Sequence, residues 1–334
     1  MDNLTHTLTG LMLSRAGLRV LTPRASILLM LSANVPDIDT IAAIGGTPAY
    51  LDWHRGPTHS LLLIPVMAAL VTAVVGVVRR PEGFSWLRAW LLSCIGVLSH
   101  ILLDWTNIYG IRLLEPLSSH WYRLDAVSVI DPFIWGVFLA AVAWPALARL
   151  VSAEIGARKT RHGTGIARFA LLFLLAYDFS RWTLHNRAIE MLNAHLYDSR
   201  IPRRMLAMPD FANPFLWHGL VDLGDAWQVH SVPVLRAFDP TGGRVFHNAQ
   251  PSAAIAAAQQ TPAFQAIRRF SQTLHWRQLP LADPEGAVEV LATDMRFALP
   301  GEGRFAARAV LNSGMRIIES EFRFTPPGRV PQPR

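Results

Sequence analysis

A chain of 334 residues that is 51% hydrophobic and only 16% charged is too apolar for an ordinary soluble protein of its length, and it reads as an integral membrane protein. The net charge of +7 does not point to nucleic acid, because the Arg residues fall mainly in short connections between apolar runs, where they orient a membrane protein. Its single cysteine, Cys94, lies in an apolar run, which excludes a disulfide framework and a thiolate metal site and leaves His, Asp and Glu as the available metal ligands.

The N-terminal Met1-Asp2-Asn3-Leu4 has no basic region and no cleavage site, so it is not read as a removable signal peptide. Residues 4–21 and 25–35 are moderately apolar segments that stop at Pro23 and at Pro36-Asp37-Ile38-Asp39. Both fall short of the roughly 20 apolar residues a full span needs, so they are expected as short helices packed within the bundle. Residues 61–78 give an uninterrupted apolar run, roughly 27 Å long at about 1.5 Å per residue, and are the clearest span. Residues 84–103 follow as its antiparallel partner. After a polar connection, Asp131-Pro132 offers an N-cap and a first helical residue for a span over 132–150, and the last apolar run covers 166–184.

From about residue 185 the apolar runs shorten. Alternation appears at 227–235, 288–299 and 317–324, the stretch 253–258 reads as a short helix, and the Pro- and Arg-rich tail 326–334 reads as disordered. The expected architecture is a mainly α polytopic bundle over 1–184, with about four full spans and two short N-terminal helices, followed by a β-rich α+β soluble domain over 185–334. Orientation follows the positive-inside rule. Arg15, Arg19, Arg24, Arg79, Arg80, Arg88, Arg149, Arg158, Lys159, Arg161 and Arg168 fall on one side, which is then cytoplasmic, against Arg55, Arg112 and Arg123 on the other. This puts the C-terminal domain outside.

The same assignment collects His6, Asp37, Asp39, His54, His59, His100 and Asp104, from four segments, toward the outer half of the membrane. Ionisable groups there are costly unless paired, hydrated or metal-bound, so they mark a functional site in a pocket opening outward. His100 and Asp104 are spaced i and i+4 and share a helix face. Taken alone, the pair equally describes a buried His bonded to its own helix. Asp37 and Asp39 follow Pro36 on a helix-ending turn and offer hard oxygen donors. Gly56-Pro57 separates His54 from His59, with Thr58 a reasonable N-cap for the next span. Imidazoles and carboxylates without cysteine suit two or three divalent ions, Zn first and Mn or Fe next.

Thr5-His6-Thr7-Leu8-Thr9-Gly10, Pro36-Asp37-Ile38-Asp39, His54-Arg55-Gly56-Pro57-Thr58-His59-Ser60 and Ser99-His100-Ile101-Leu102-Leu103-Asp104 together resemble the YdjM/YfhP-type bacterial membrane-bound metal-dependent hydrolases. That family in turn resembles, distantly, the zinc-dependent phospholipase C and P1 nuclease group, whose polymetal site also uses an H-x-x-x-D helix. The resemblance implies an inner-membrane location and a metal-assisted hydrolysis of an ester or phosphoester, with His100 and Asp104 as ligands. The soluble group's metal-binding N-terminal Trp and later H-x-x-x-E pair have no equivalent in this chain, and Asp125 and Asp131 are the substitutes it offers.

In this scheme Asp37 or Asp39 orients or deprotonates the water, Arg55 meets an anionic group, and Thr5 and Thr58 support the ligands. A pocket within the outer leaflet favours a lipid or lipid-linked phosphoester as substrate. Two other classes stay open: a non-catalytic membrane metal-binding protein or transporter, and an envelope binding protein working through the C-terminal domain, where Trp217, His218, Trp227 and His230 are its markers.

Overall fold

In the computed structural model, which describes residues 1–78, 82–154, 163–283 and 285–324, the chain opens with α1 (Asn3–Arg15). Asp2 caps this helix, its carboxylate accepting from the N–H groups of Leu4 and Thr5 at 3.0 and 3.1 Å, an interaction worth about 1 kcal/mol. The helix expected over 4–21 ends early, because Gly17 takes a φ of 147° that breaks the α ladder before a 3-10 turn at Leu18–Val20. α2 (Ala25–Ser32) also stops short of its expected end, and a 3-10 helix (Val35–Gly45) follows at a bend of 41°. Pro36 lacks the N–H that would continue the α ladder. Asp37 and Asp39 therefore sit inside a 3-10 helix rather than on a simple helix-ending turn.

α3 (Thr47–Trp53) precedes the long helices α4 (Ile64–Val78), α5 (Trp86–Thr106), α6 (Pro132–Glu154) and α7 (Gly163–Asn193). Among the described residues three stretches are long and apolar enough to cross a membrane: Leu61–Val78, Trp86–Thr106 and Gly163–Asn193. The bent pair of α2 and its 3-10 continuation is a fourth if it counts as one span. The expected span over 132–150 has a shorter apolar part, Pro132–Ala148. Large apolar side chains such as Val77, Leu87, Leu172 and Phe179 are exposed on these helices, as lipid-facing surfaces require. Arg79, Arg80, Arg158, Lys159 and Arg161, used above for orientation, and the tail 326–334 lie outside the described residues.

Packing divides the chain into two units: Met1–Asp39, Arg55–Asn186 and Pro209–Pro214 form the first, and Thr40–His54, Arg187–Met208 and Phe215–Arg334 the second. In the first, α1, α2 and α5 meet backbone to backbone. A Cβ on Gly10 would lie 2.6 Å from the carbonyl oxygen of Leu29, and one on Gly96 would lie 2.6 Å from Ser32 Cβ. Small residues at such crossings let apolar helices approach where no hydrophobic gain separates protein from lipid. Between α4 and α5, Thr72 donates to Ser93 at 3.1 Å, both buried.

The second unit carries two four-stranded antiparallel sheets: β1 (Arg204–Pro209), β2 (Leu216–Asp222), β3 (Ala226–Pro233) and β4 (Arg244–His247) in spatial order, then β5 (Leu274–Pro280), β6 (Val288–Asp294), β7 (Ala306–Leu311) and β8 (Ile317–Arg323). Helices α8 (Ala253–Ala258) and α9 (Pro262–Phe270) connect them. Strands β3, β6 and β8 match the three alternating stretches read from the sequence. Trp217, Trp227 and His230 are core residues, not surface markers. α3 joins this unit: Leu51 is buried, Asp52 receives two bonds from Arg269 at 2.8 and 2.6 Å, and Tyr50 meets Phe324 edge-on.

Gly10→Val or Gly96→Val should cost about 1–3 kcal/mol by overpacking a backbone contact, read as a lower unfolding midpoint in detergent. Burial holds the imidazoles of His230 and His275 below their usual pKa. Their contribution to stability is complete above about pH 6.5, the unfolded value, and is lost as pH falls below it. Calorimetry of the full chain should therefore show the second unit melting earlier at about pH 5.5 than at about pH 7.5.

Candidate metal centre

Asp37, His59, His100 and Asp104 come from the 3-10 helix, the turn before α4, and α5, and all four are buried. One ligand atom from each lies within 4.8 Å of the others. Hydrogen bonds on the far side of each ring fix how the imidazoles can use their inner nitrogens. His100 Nδ1 lies 2.8 Å from the carbonyl oxygen of Ala33, which can only accept, so Nδ1 carries the proton and Nε2 presents a lone pair. His59 Nδ1 lies 3.0 Å from Thr58 Oγ1 and 3.2 Å from Asp39 Oδ2, and the Thr58 hydroxyl is itself committed to Asp39 at 2.6 Å. His59 Nδ1 is then the donor, and its Nε2 also presents a lone pair.

The two Nε2 atoms face each other at 3.0 Å. Two lone pairs at that distance repel unless a cation lies between them. Asp104 Oδ2 is 3.4 Å from both nitrogens, and Asp37 Oδ1 is 3.5 and 3.7 Å from His59 and His100. A tetrahedral ion with bonds of 2.0–2.1 Å separates its ligand atoms by about 3.3 Å, so this N2O2 set has the dimensions of a zinc-type site. The donor chemistry fits a divalent ion on this ground, and the charge agrees: the carboxylates of Asp37, Asp39 and Asp104 outnumber the nearby cations, Arg55 and the α-amino group of Met1, which pairs with Asp104 Oδ1.

His6, on α1, stacks on His100 with ring centroids 3.7 Å apart and brings Nε2 to 3.3 Å from Asp104 Oδ1. Asp39 stands behind His59: its Oδ2 takes the Thr58 hydroxyl and the Arg55 N–H at 2.9 Å. Thr58 is thus an Asp39 partner and not the helix cap. That role falls to Ser60, which accepts from the Leu62 N–H at 3.2 Å. Thr5 donates to Asp2 at 2.6 Å and accepts from the Trp135 indole at 3.0 Å, away from the quartet.

Asp131 caps α6, accepting from Phe133 and Ile134, and takes a bond from Tyr177. Asp125 pairs with Arg123 at 3.4 Å. His54 follows the last turn of α3, is buried, and stacks on Tyr50 in the second unit.

Arg55 holds one member of the quartet. Its Nε lies 3.1 Å from Asp104 Oδ2, its NH1 donates to Asn107 at 3.0 Å, and its guanidinium lies 4.5 Å from the centre of the Tyr109 ring. Asn107 completes the arrangement by donating to Asp104 Oδ1 at 3.2 Å while its own oxygen accepts from the Tyr109 N–H at 2.8 Å. The sequence reading passed over Asn107 and Tyr109. Asn107 lies three positions after Asp104, at the C-cap of α5 where the backbone has already turned extended. Arg55→Met should destabilise by about 3–5 kcal/mol, since it leaves Asp104 buried without its guanidinium. Asp104→Asn in the same chain should recover part of that loss, as read by thermal unfolding of the single and double variants.

Comparison with known proteins covers the part of the chain that holds these residues. The profile of the YdjM inner membrane protein family matches residues 1–188, which contain the whole quartet. A curated relative, the uncharacterized protein YfhP of Bacillus subtilis (strain 168), is 29% identical over 153 residues, 43% of this chain and 46% of its own length, so the chain spans less than half of that relative. No solved structure matches. By the extent of the profile match, this chain belongs to the YdjM inner membrane protein family.

Proposed function

We propose that this protein is a membrane-embedded, metal-dependent hydrolase acting on an ester or phosphoester of a lipid or lipid-linked substrate, with its centre open to the outer side of a bacterial inner membrane. The observation that carries the proposal is the facing pair of His59 and His100 Nε2 lone pairs, flanked by Asp37 and Asp104. A divalent ion held by these four residues, Zn by the size of the set, would supply Lewis-acid chemistry and an activated water. The chain's own residues do the rest. Asp39 and the Ala33 carbonyl fix the two imidazole tautomers, and Arg55 with Asn107 fixes Asp104, so the ligand atoms are held before any substrate arrives.

A lipid substrate is favoured by a groove in the first unit, a cavity of about 510 Å³. Leu31, Ile38, Leu70 and Val74 form apolar walls, while Asn34 and the quartet member Asp37 also line it. An acyl chain against those walls would bring its polar end to the centre.

The first test is elemental analysis of the detergent-purified protein beside the double variant His100→Ala, Asp104→Ala, with folding verified in both. At least one Zn or Mn per chain in the parent, reduced at least tenfold in the variant, is the expected result. A parent that takes up no metal after reconstitution with Zn or Mn would falsify the proposal. With metal bound, hydrolysis of phospholipids and other phosphoesters in mixed micelles should stop on chelation. Val74→Trp should abolish turnover of long-chain substrates while leaving metal content unchanged, whereas equal loss on short and long substrates would sink the acyl-groove assignment.

A further inference from the structure

A polar cleft of about 420 Å³ lies wholly within the second unit, between the β2–β3 turn and the start of β5. Its floor is tied in place by three side-chain bonds. Asn248 donates to the Gly224 carbonyl at 3.2 Å and accepts from the Trp276 N–H at 3.0 Å, linking the turn of the first sheet to the first strand of the second. The Trp227 indole donates to the Leu274 carbonyl at 3.2 Å across the same gap. Asp222 closes the turn by accepting from the Gly224 N–H at 2.8 Å.

Gly224 has a φ of 91°, and a Cβ there would overlap the Arg203 guanidinium. Arg204 also lines the cleft. Neither guanidinium is ion-paired among the described residues. Both are exposed side chains at the mouth of a pre-arranged cleft.

We infer that this cleft binds an anionic, hydroxyl-bearing group of the glycerophosphate or sugar-phosphate kind. Guanidinia present forked donors that match the oxygens of a phosphate, and two arginines line this one cleft. The remaining wall supplies polar groups suited to hydroxyls: the Asp222 carboxylate, the Ser271 hydroxyl and the Gln272 amide. Nucleotides fit less well, because a base needs an open aromatic face. Trp227 is buried with its N–H engaged, and Trp276 is half-buried and stacked on Phe264. This site shares no residue with the metal quartet and does not depend on the hydrolase proposal.

The test uses the full-length protein in nanodiscs of phosphatidylcholine. Titration calorimetry with glycerol 1-phosphate reports a free ligand, and cosedimentation with vesicles of phosphatidylcholine, with or without phosphatidylglycerol, reports a membrane headgroup. The variant Arg203→Gln, Arg204→Gln is compared after circular dichroism and thermal unfolding show it folded, and Arg203→Lys, Arg204→Lys keeps charge without the fork. Binding of either probe, at least tenfold weaker in the Gln pair and intermediate in the Lys pair, supports the site and identifies its source. Binding of neither probe up to about 10 mM phosphate ester, or binding unchanged in the Gln pair, overturns it. The His100→Ala, Asp104→Ala variant should bind both probes as the parent does, so failure of the metal centre and failure of the cleft read out separately.

Discussion

His59 and His100 approach each other through the nitrogens that their other hydrogen bonds have left unprotonated. Neither ring can turn away cheaply. Rotating His100 would leave the Ala33 carbonyl, in a buried helix end, without its donor, and rotating His59 would break its link to Thr58 and Asp39. Tautomers fixed from outside are what suit the pair to holding a cation rather than sharing a proton. The supporting residues are spread through the first unit: Ala33 ends α2, Asp39 lies in the 3-10 helix, and Asn107 ends α5. The close helix crossings at Gly10 and Gly96 bring those ends together, so the packing and the electrostatics of the centre are one problem.

Arg55 shows how this economy works in an apolar surrounding. A guanidinium there needs all its donors satisfied, and it reaches Asp104, Asn107 and the aromatic face of Tyr109. From the sequence it looked placed to meet an anionic substrate. In the folded chain it is a positioning group for Asp104, and its backbone N–H serves Asp39 as well.

The sequence made much of this legible where a period or a fixed spacing carried the information. The apolar run at 61–78 and the i, i+4 spacing of His100 and Asp104 needed only helix geometry. The gathering of His6, Asp37, His59, His100 and Asp104 followed from the positions of charges relative to apolar runs. What escaped lacks a period. Asn107 and Tyr109 lie at the edge of a polar connection, where a single side chain bonded to backbone leaves no pattern. Thr58 looked like a helix cap because Thr before an apolar run usually is one, yet tertiary bonding to Asp39 took its hydroxyl. β1, β2 and β7 carry apolar residues in unbroken runs such as Leu206-Ala207-Met208 and Ala309-Val310-Leu311, and β4 has only four residues, so none of these shows the strict alternation that marks a strand in a sequence. In the same way, Asp125 and Asp131 were chemically suitable ligands whose carboxylates are engaged elsewhere, by Arg123 and by the start of α6.

The excursion Thr40–His54 leaves the first unit just after Asp39 and re-enters it at Arg55, and α3 within it is bound by Leu51, Asp52 and Tyr50 to the second unit. The natural place to shorten this protein, near residue 188 where the family match ends, is therefore not a clean seam. A chain cut there would keep α3 but lose α9 and its arginine, baring an apolar helix face between Asp39 and Arg55. Removing the second unit would therefore also change what lies on the chain between Asp39 and Arg55, and a loss of chemistry in such a truncation would not by itself assign that chemistry to the removed domain.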